Sequence, residues 1–200
     1  MQIFTGLPVF CHCLKNFFSV DSPCACLLVV PAGARAEFHD LLAAHLPELS
    51  ARVQIITGGA TRMASVLAGL EALPSSCRYV AVQDAARPLS SADLLRRCLE
   101  SAQRDGSGVA ARRLTDTIKL ATADGKVIKT LDRNSLWAAE TPQVFRRELL
   151  LKAYQACQNS KTSFTDDAQL LEEAGFPVQL VESKQANHKI TFAEDLEIRN

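Results

Sequence analysis

The sequence has no excess of either charge. Lysine and arginine number 22, aspartate and glutamate 22, so the formal net charge is +0. Nucleic-acid binders carry a basic excess or a basic stripe. Neither is present, and no nucleic-acid partner is expected. No apolar run approaches the about 18 residues needed to cross a bilayer, so no membrane partner is expected either. The opening MQIFTGLPVFCHCLKNFF is apolar, but Gly6 and Pro8 interrupt it and no basic segment precedes it. It does not read as a secretory signal. Internal repeats and low-complexity linkers are absent.

Zinc-finger spacing is missing too. The seven cysteines are scattered, and Cys11, Cys13, Cys24 and Cys26 form two C-x-C pairs. Structural zinc sites use wider pairs, typically with about two to four intervening residues. His12 and His39 would have to complete such a site. Buried, reduced cysteines acting as small hydrophobes are the expectation, and a cytoplasmic location follows from it.

What is present suits one domain spanning 1–200, with 48% hydrophobic residues to build a core. Apolar β-prone runs alternate with amphipathic helical stretches. Strands are predicted at 25–30, 53–57, 79–83 and 108–112. Helices are predicted at 7–18 (Pro8 in the first turn), 36–46, 60–73 and 92–104. That βαβ rhythm implies a three-layer α/β fold, a mostly parallel sheet with helices on both faces. Then the pattern changes. Residues 117–120 and 127–131 flank TADG and predict a β-hairpin arm, about 114–134, projecting from the sheet. A strand at 136–145 and a helix at 147–158 follow. In TSFTDDAQLLEEAG, Thr165 reads as the N-cap, Asp166 and Asp167 fall in the first turn, and Gly175 lies past the end. Strands at 178–181 and 188–190 and a helix at 193–199 complete the chain.

In parallel sheets, ligands bind beyond the carboxyl ends of strands. After the strand at 53–57 comes GGATRMASV. Gly58 and Gly59 let backbone approach a ligand, and the following helix start offers N–H groups to an anion. By itself the segment is equally a plain glycine turn. After the strand at 79–83 comes DAARP. Asp84 is placed to hold Mg²⁺ through one carboxylate, with phosphate oxygens and water as the other ligands. Arg87 suits a phosphate, or a structural ion pair with Asp84. Lys119, Arg133 and Lys189 are, singly, ordinary surface or edge-strand cations.

Taken together, six segments resemble one family. They are GGATRMASVLAGL (58–70), VQDAARP (82–88), DTIK (116–119), LDRNSLWAAETPQVF (131–145), TDDAQLLEEAG (165–175) and NHKIT (187–191), the last followed by EDL. Their order and spacing are similar to those of 2-C-methyl-D-erythritol 4-phosphate cytidylyltransferases. The resemblance implies a Rossmann-like nucleotidyltransferase fold. It implies transfer of CMP from CTP to methylerythritol phosphate, with release of pyrophosphate, in non-mevalonate isoprenoid synthesis.

It also implies roles for residues. Gly59 and Ser65 contact the cytidine half of CTP, with Gly58 and Arg62 shaping the turn. Asp84 holds Mg²⁺ and Ala85 lies against the nucleotide. Arg87, Thr141 and Lys189 line the methylerythritol phosphate site. Thr117 and Arg133 reach into the other subunit of a homodimer formed through the arm. Arg133 and Lys189 aim the substrate phosphate at the α-phosphorus. Thr165 and Asp166 cap a helix near the site. Gln83 stands where the family usually has His, and Ser135 where it often has Gly. A cytidylyltransferase for another polyol phosphate, such as ribitol 5-phosphate, and a non-catalytic binding dimer are the alternatives.

The stretch VVPAGAR imitates the family's phosphate loop, P-A-A-G-x-G-x-R-M. Spacing argues otherwise. Residues 34–57, 24 in all, separate Gly33 from Gly58, room for one helix and one strand. The family's loop lies a further βα unit upstream. Residues 25–30 therefore match the family's second strand. The expectation is an N-terminally truncated chain lacking the first strand, the glycine-rich loop and its two cations, with unpaired backbone where that strand belongs.

Overall fold

The computed structural model describes residues 2–20, 25–158, 160 and 163–197. In chain order the elements are β1 (Ile3–Phe4), β2 (Leu7–Pro8), α1 (Val9–Phe18), β3 (Cys26–Val30), α2 (Arg35–His45), α3 (Pro47–Ser50), β4 (Val53–Thr57), α4 (Arg62–Ala72), β5 (Tyr79–Val82), α5 (Ala92–Asp105), β6 (Ser107–Arg113), β7 (Lys119–Ala121), β8 (Val127–Thr130), β9 (Trp137–Arg146), α6 (Arg147–Ala156), α7 (Asp167–Glu173) and β10 (Leu180–Glu182). Short 3₁₀ turns cover Arg133–Ser135 and Ala193–Glu197. The end of the helix expected at 193–199 lies outside the described residues.

The central sheet runs β10-β6-β9-β5, and β3 pairs with β4 in a separate parallel pair. β10 is parallel to β6, whereas β9 is antiparallel to both β6 and β5. A strand joined to its neighbour by a hairpin arm must return alongside it. Only a crossover would have kept it parallel. Among the described residues β3 and β5 pair only with β4 and β9, and no strand hydrogen bond links the two sheets.

Side chains alternate between layers with the period of a strand. Val109 and Phe145 face the cluster holding Leu70 of α4, Leu150 and Tyr154 of α6 and Leu170 and Leu171 of α7. Ala110 and Val144, one residue away in each strand, face Leu94, Cys98 and Ala102 of α5. A third cluster joins Phe10 and Leu14 of α1 and Leu42 of α2 to Leu28, Val30, Val53 and Ile55. Gly108 is obligatory, because a Cβ there would sit 2.1 Å from the Cys98 carbonyl oxygen. The chain is thus three-layered α/β, with helices on both faces.

Several expectations are corrected. The first helix starts at Val9, since residues 3–8 form a miniature hairpin turned at Thr5 (φ 43°) and Gly6 (φ 84°). Residues 188–190 form no strand. Among the described residues, the backbone bond of this stretch is that of the Ile190 N–H, donating to the Ala86 carbonyl at 2.8 Å. The cap of α7 is Asp166, whose carboxylate accepts from the Gln169 N–H, and Thr165 binds the Gln169 side chain instead. Cys11, Cys13, Cys26, Cys98 and Cys157 are free, but Cys77 is disulfide-bonded rather than reduced.

Candidate active site

β5 ends at Val82, and the chain turns through Gln83 and Asp84 into a tight loop closed by the Arg87 N–H on the Asp84 carbonyl. α1 holds this loop from beneath. The Cys13 thiol points at the carbonyls of Asp84, Ala85 and Arg87, closest to Arg87 at 3.2 Å. Asn16 Nδ2 donates to the carbonyls of Pro88 and Ser90. Burial pushes the Cys13 thiol up to about 12, partly opposed by hydrogen bonding with the Arg87 backbone. It is a structural donor and not a nucleophile at neutral pH. Gln83 Nε2 bonds the Asp84 carbonyl, so this departure from the family pattern also serves the loop.

Three distant segments meet at Asp84. Thr141 of β9 accepts the Asp84 N–H on its hydroxyl at 3.0 Å. Lys189 Nζ stands 3.0 Å from Asp84 Oδ2, and Arg87 Nε stands 3.7 Å from the same oxygen. The latter distance is an ion pair but no hydrogen bond, and the buried Arg87 Nε has no hydrogen-bond partner. Arg87 Nη1 donates to the Asn187 carbonyl at 2.6 Å. Asn187 in turn donates through Nδ2 to Glu140 Oε2 and the Thr141 carbonyl. No group of three or more His, Cys, Asp or Glu side chains that could hold a metal occurs among the described residues. His12 is engaged with the Phe4 carbonyl and His39 with Asp40, so neither joins a cysteine cluster.

The glycine turn lies beyond β4. A Cβ on Gly58 would meet Ser65 Oγ at 2.6 Å, and one on Gly59 would meet Ala64 Cβ at 2.5 Å. The turn packs onto its own helix too closely for any side chain. Thr61 caps α4 by accepting from the Ala64 N–H, and the Ser65 hydroxyl donates to the Thr61 carbonyl. Arg62 joins Asp167 at 2.8 Å. Burial lowers the pKa of Arg62, but the neighbouring charges of Asp167 and Asp84 more than offset this and raise it.

So Asp84, Arg87, Thr141 and Lys189 come together, with Ala85 exposed in the same loop. Gly58, Gly59 and Ser65 form a second group, linked to the first electrostatically through Arg62. Thr117 and Arg133 stand apart at the base of the arm, both exposed. Arg133 donates to the Thr115 carbonyl, and no described contact ties either residue to Asp84 within one chain. Glu140, Gln143, Asp167 and Asn187 were not singled out from sequence, although each lies inside one of the six segments. Cys13 and Asn16 carried no such signal.

The family model for 2-C-methyl-D-erythritol 4-phosphate cytidylyltransferase matches residues 2–200. The chain belongs to this family. Its cytidylyltransferase relatives include one from Prochlorococcus marinus, 39% identical over 96% of this chain and 84% of its own length. A bifunctional IspD/IspF enzyme of Desulfotalea psychrophila is 40% identical over 96% of this chain, which spans 48% of that longer protein. Among solved structures, the cytidylyltransferase of Thermus thermophilus superposes with a TM-score of 0.81 at 32% identity, over 97% of this chain and 87% of its own. The 4-diphosphocytidyl-2C-methyl-D-erythritol synthase of Anaerococcus prevotii gives 0.87 at 26% identity, over 97% and 85%. The cytidylyltransferase fold thus agrees with the three-layer architecture built above.

Proposed function

We propose that this chain transfers CMP from CTP to 2-C-methyl-D-erythritol 4-phosphate and releases pyrophosphate. The observation that carries the reading is the meeting of Arg87 and Lys189 on Asp84, with Arg87 Nε buried and unsatisfied. A buried donor without a partner is costly unless a ligand supplies one, and an anionic oxygen is the acceptor to which a guanidinium beside an ammonium donates best.

Asp84 fits a magnesium site in the sparing way that ion is usually held, by one or two carboxylates with substrate phosphates and water. It is the strand-end carboxylate, only 20% exposed, with Oδ1 unengaged among the described residues. Bound there, Mg²⁺ would neutralise charge on the triphosphate. Gly58, Gly59 and Ser65 form the cytidine side, where absent side chains allow close backbone approach. Ala85, exposed in the Asp84 loop, would lie against the nucleotide. Arg87, Thr141 and Lys189 form the methylerythritol phosphate side. The substrate phosphate oxygen is already ionised, so no general base is needed. Positioning and charge neutralisation supply the rate. Lys189 would exchange its pairing with Asp84 for the incoming phosphate and, with Arg133, orient it in line with the α-phosphorus.

Arg133 and Thr117 serve this role from the arm of a second subunit. Supporting a homodimer, β7 and β8 are exposed throughout, and Leu120, Val127 and Ile128 present 43%, 60% and 59% of their surface. No described helix is long and apolar enough to cross a membrane. The five free thiols support a reducing, cytoplasmic setting, with Cys77 the exception.

The test is pyrophosphate release by the 200-residue chain with CTP, Mg²⁺ and methylerythritol phosphate, beside Asp84→Ala. Release that the substitution lowers by at least about 10²-fold is expected. Equal release by both would remove Asp84 from the mechanism. No release by the unaltered chain would overturn the activity for this chain.

A further inference from the structure

Asp167 is a carboxylate with 1% of its surface exposed, at the first position of α7. A buried charge is expensive unless paired and hydrogen-bonded; one oxygen of Asp167 is hydrogen-bonded and the other is ion-paired without a hydrogen bond. Oδ1 accepts from the Tyr154 hydroxyl of α6 at 2.8 Å. Oδ2 forms an ion pair with Arg62 Nη2, also at 2.8 Å. Arg62 is the first residue of α4, three positions after Gly59. The adjacent Asp166 accepts from Gln143 Nε2, and Gln143 Oε1 accepts from the Ala168 N–H. Gln143 lies two residues along β9 from Thr141. The start of α4 is therefore tied to α6 and α7 through the buried Asp167, and the start of α7 is tied to β9 through Asp166 and Ala168.

The glycine turn is held by the Gly58 N–H on the Val30 carbonyl and by the Ser65 hydroxyl on the Gly59 carbonyl. Its two glycines carry no side chains, and among the described residues the ionic tie nearest to it is that of Arg62. Arg62 has two acidic neighbours in electrostatic range, Asp167 and Asp84. The one it contacts is Asp167. We infer that Asp167 is a positioning residue for nucleotide binding: by holding Arg62, it fixes the start of α4 and with it the Gly58–Gly59 turn. The inference rests on the proposed reading of that turn as the cytidine side of a CTP site.

The test compares the unaltered chain with Asp167→Asn, which keeps the shape and an acceptor for Tyr154 but removes the charge. CTP affinity is measured by calorimetry, KM for each substrate by turnover, and Tm by calorimetric melting. We expect CTP binding to weaken by about tenfold or more, with KM for methylerythritol phosphate unchanged within about twofold. Tyr154→Phe, which spares the ion pair, should leave CTP affinity within the same margin. Asp167→Asn that binds CTP normally overturns the inference. So does a variant that loses both substrates equally along with Tm. If Asp167→Asn does not fold, Arg62→Met should show the same selective loss, and normal CTP affinity in that variant overturns the inference instead. An unaltered chain that binds no CTP overturns the underlying site reading, an outcome distinct from either.

Discussion

Gly59 shows how much one residue decides. A Cβ there would lie 2.5 Å from the Ala64 Cβ and 3.2 Å from the Ala64 carbonyl carbon. Neither atom is the far end of a flexible side chain, so relief requires moving the first turn of α4. Gly59→Ala should cost about 1–3 kcal/mol of stability by overpacking and should raise KM for CTP more than KM for methylerythritol phosphate. Urea unfolding and steady-state kinetics check both. A variant with unchanged urea midpoint and KM would show that the turn yields freely. The close approach was legible as GG before a helix. That the obstacle is the helix itself was not, because Ala64 and Gly59 meet only once the turn is folded.

At the scale of an element, α7 is short, seven residues from Asp167 to Glu173, and depends on its cap. Asp166 accepts from the Gln169 N–H at 2.8 Å and from Gln143 Nε2 at 2.8 Å. Asp166→Ala removes both bonds. The expected loss is about 1 kcal/mol for the cap, with a smaller further loss at the Gln143 amide, which keeps its bond to the Glu140 carbonyl. Thr165→Ala should cost less, since Thr165 does not cap the helix. Equal midpoints for the two variants in urea would refute this assignment. The sequence TDD reads with Thr165 as the cap and both aspartates in the first turn. Thr and Asp both cap well by local chemistry, and the buried Gln143 on β9 holds Asp166 in the capping position.

The whole molecule buries thiols on several elements, and that gives it a pH limit. Burial pushes Cys11 and Cys26 up to about 11, and Cys13 and Cys98 up to about 12, from an ordinary value of 9.0. These raised values mean the folded state keeps protons that the unfolded chain gives up. Their stabilisation is complete below about pH 9 and disappears progressively as pH rises from about 9 through about 12. The urea midpoint should hold from about pH 7 to about pH 8.5 and fall steeply between about pH 9 and about pH 11. A midpoint level across that upper range would show the thiols to be more solvated than their burial indicates.

Local pattern was enough to define the elements and the chemistry each could carry. Strand and helix periods placed β3, β4, β5, α4 and α5 to within a residue or two, because side-chain burial repeats along one segment. The segments from GGATRMASVLAGL to NHKIT pointed to the family and to most of the residues around Asp84. What those segments do to one another came from the packing of the folded chain. Packing turned β9 antiparallel, because the arm returns the chain instead of crossing it over. It left residues 188–190 without a strand partner and placed Lys189 on Asp84 from a loop. It also made Cys13 a support for that loop, and Asp167 the buried partner of Arg62. Each of these is a contact between residues far apart in the chain. Such contacts depend on how layers stack, and no local pattern records that.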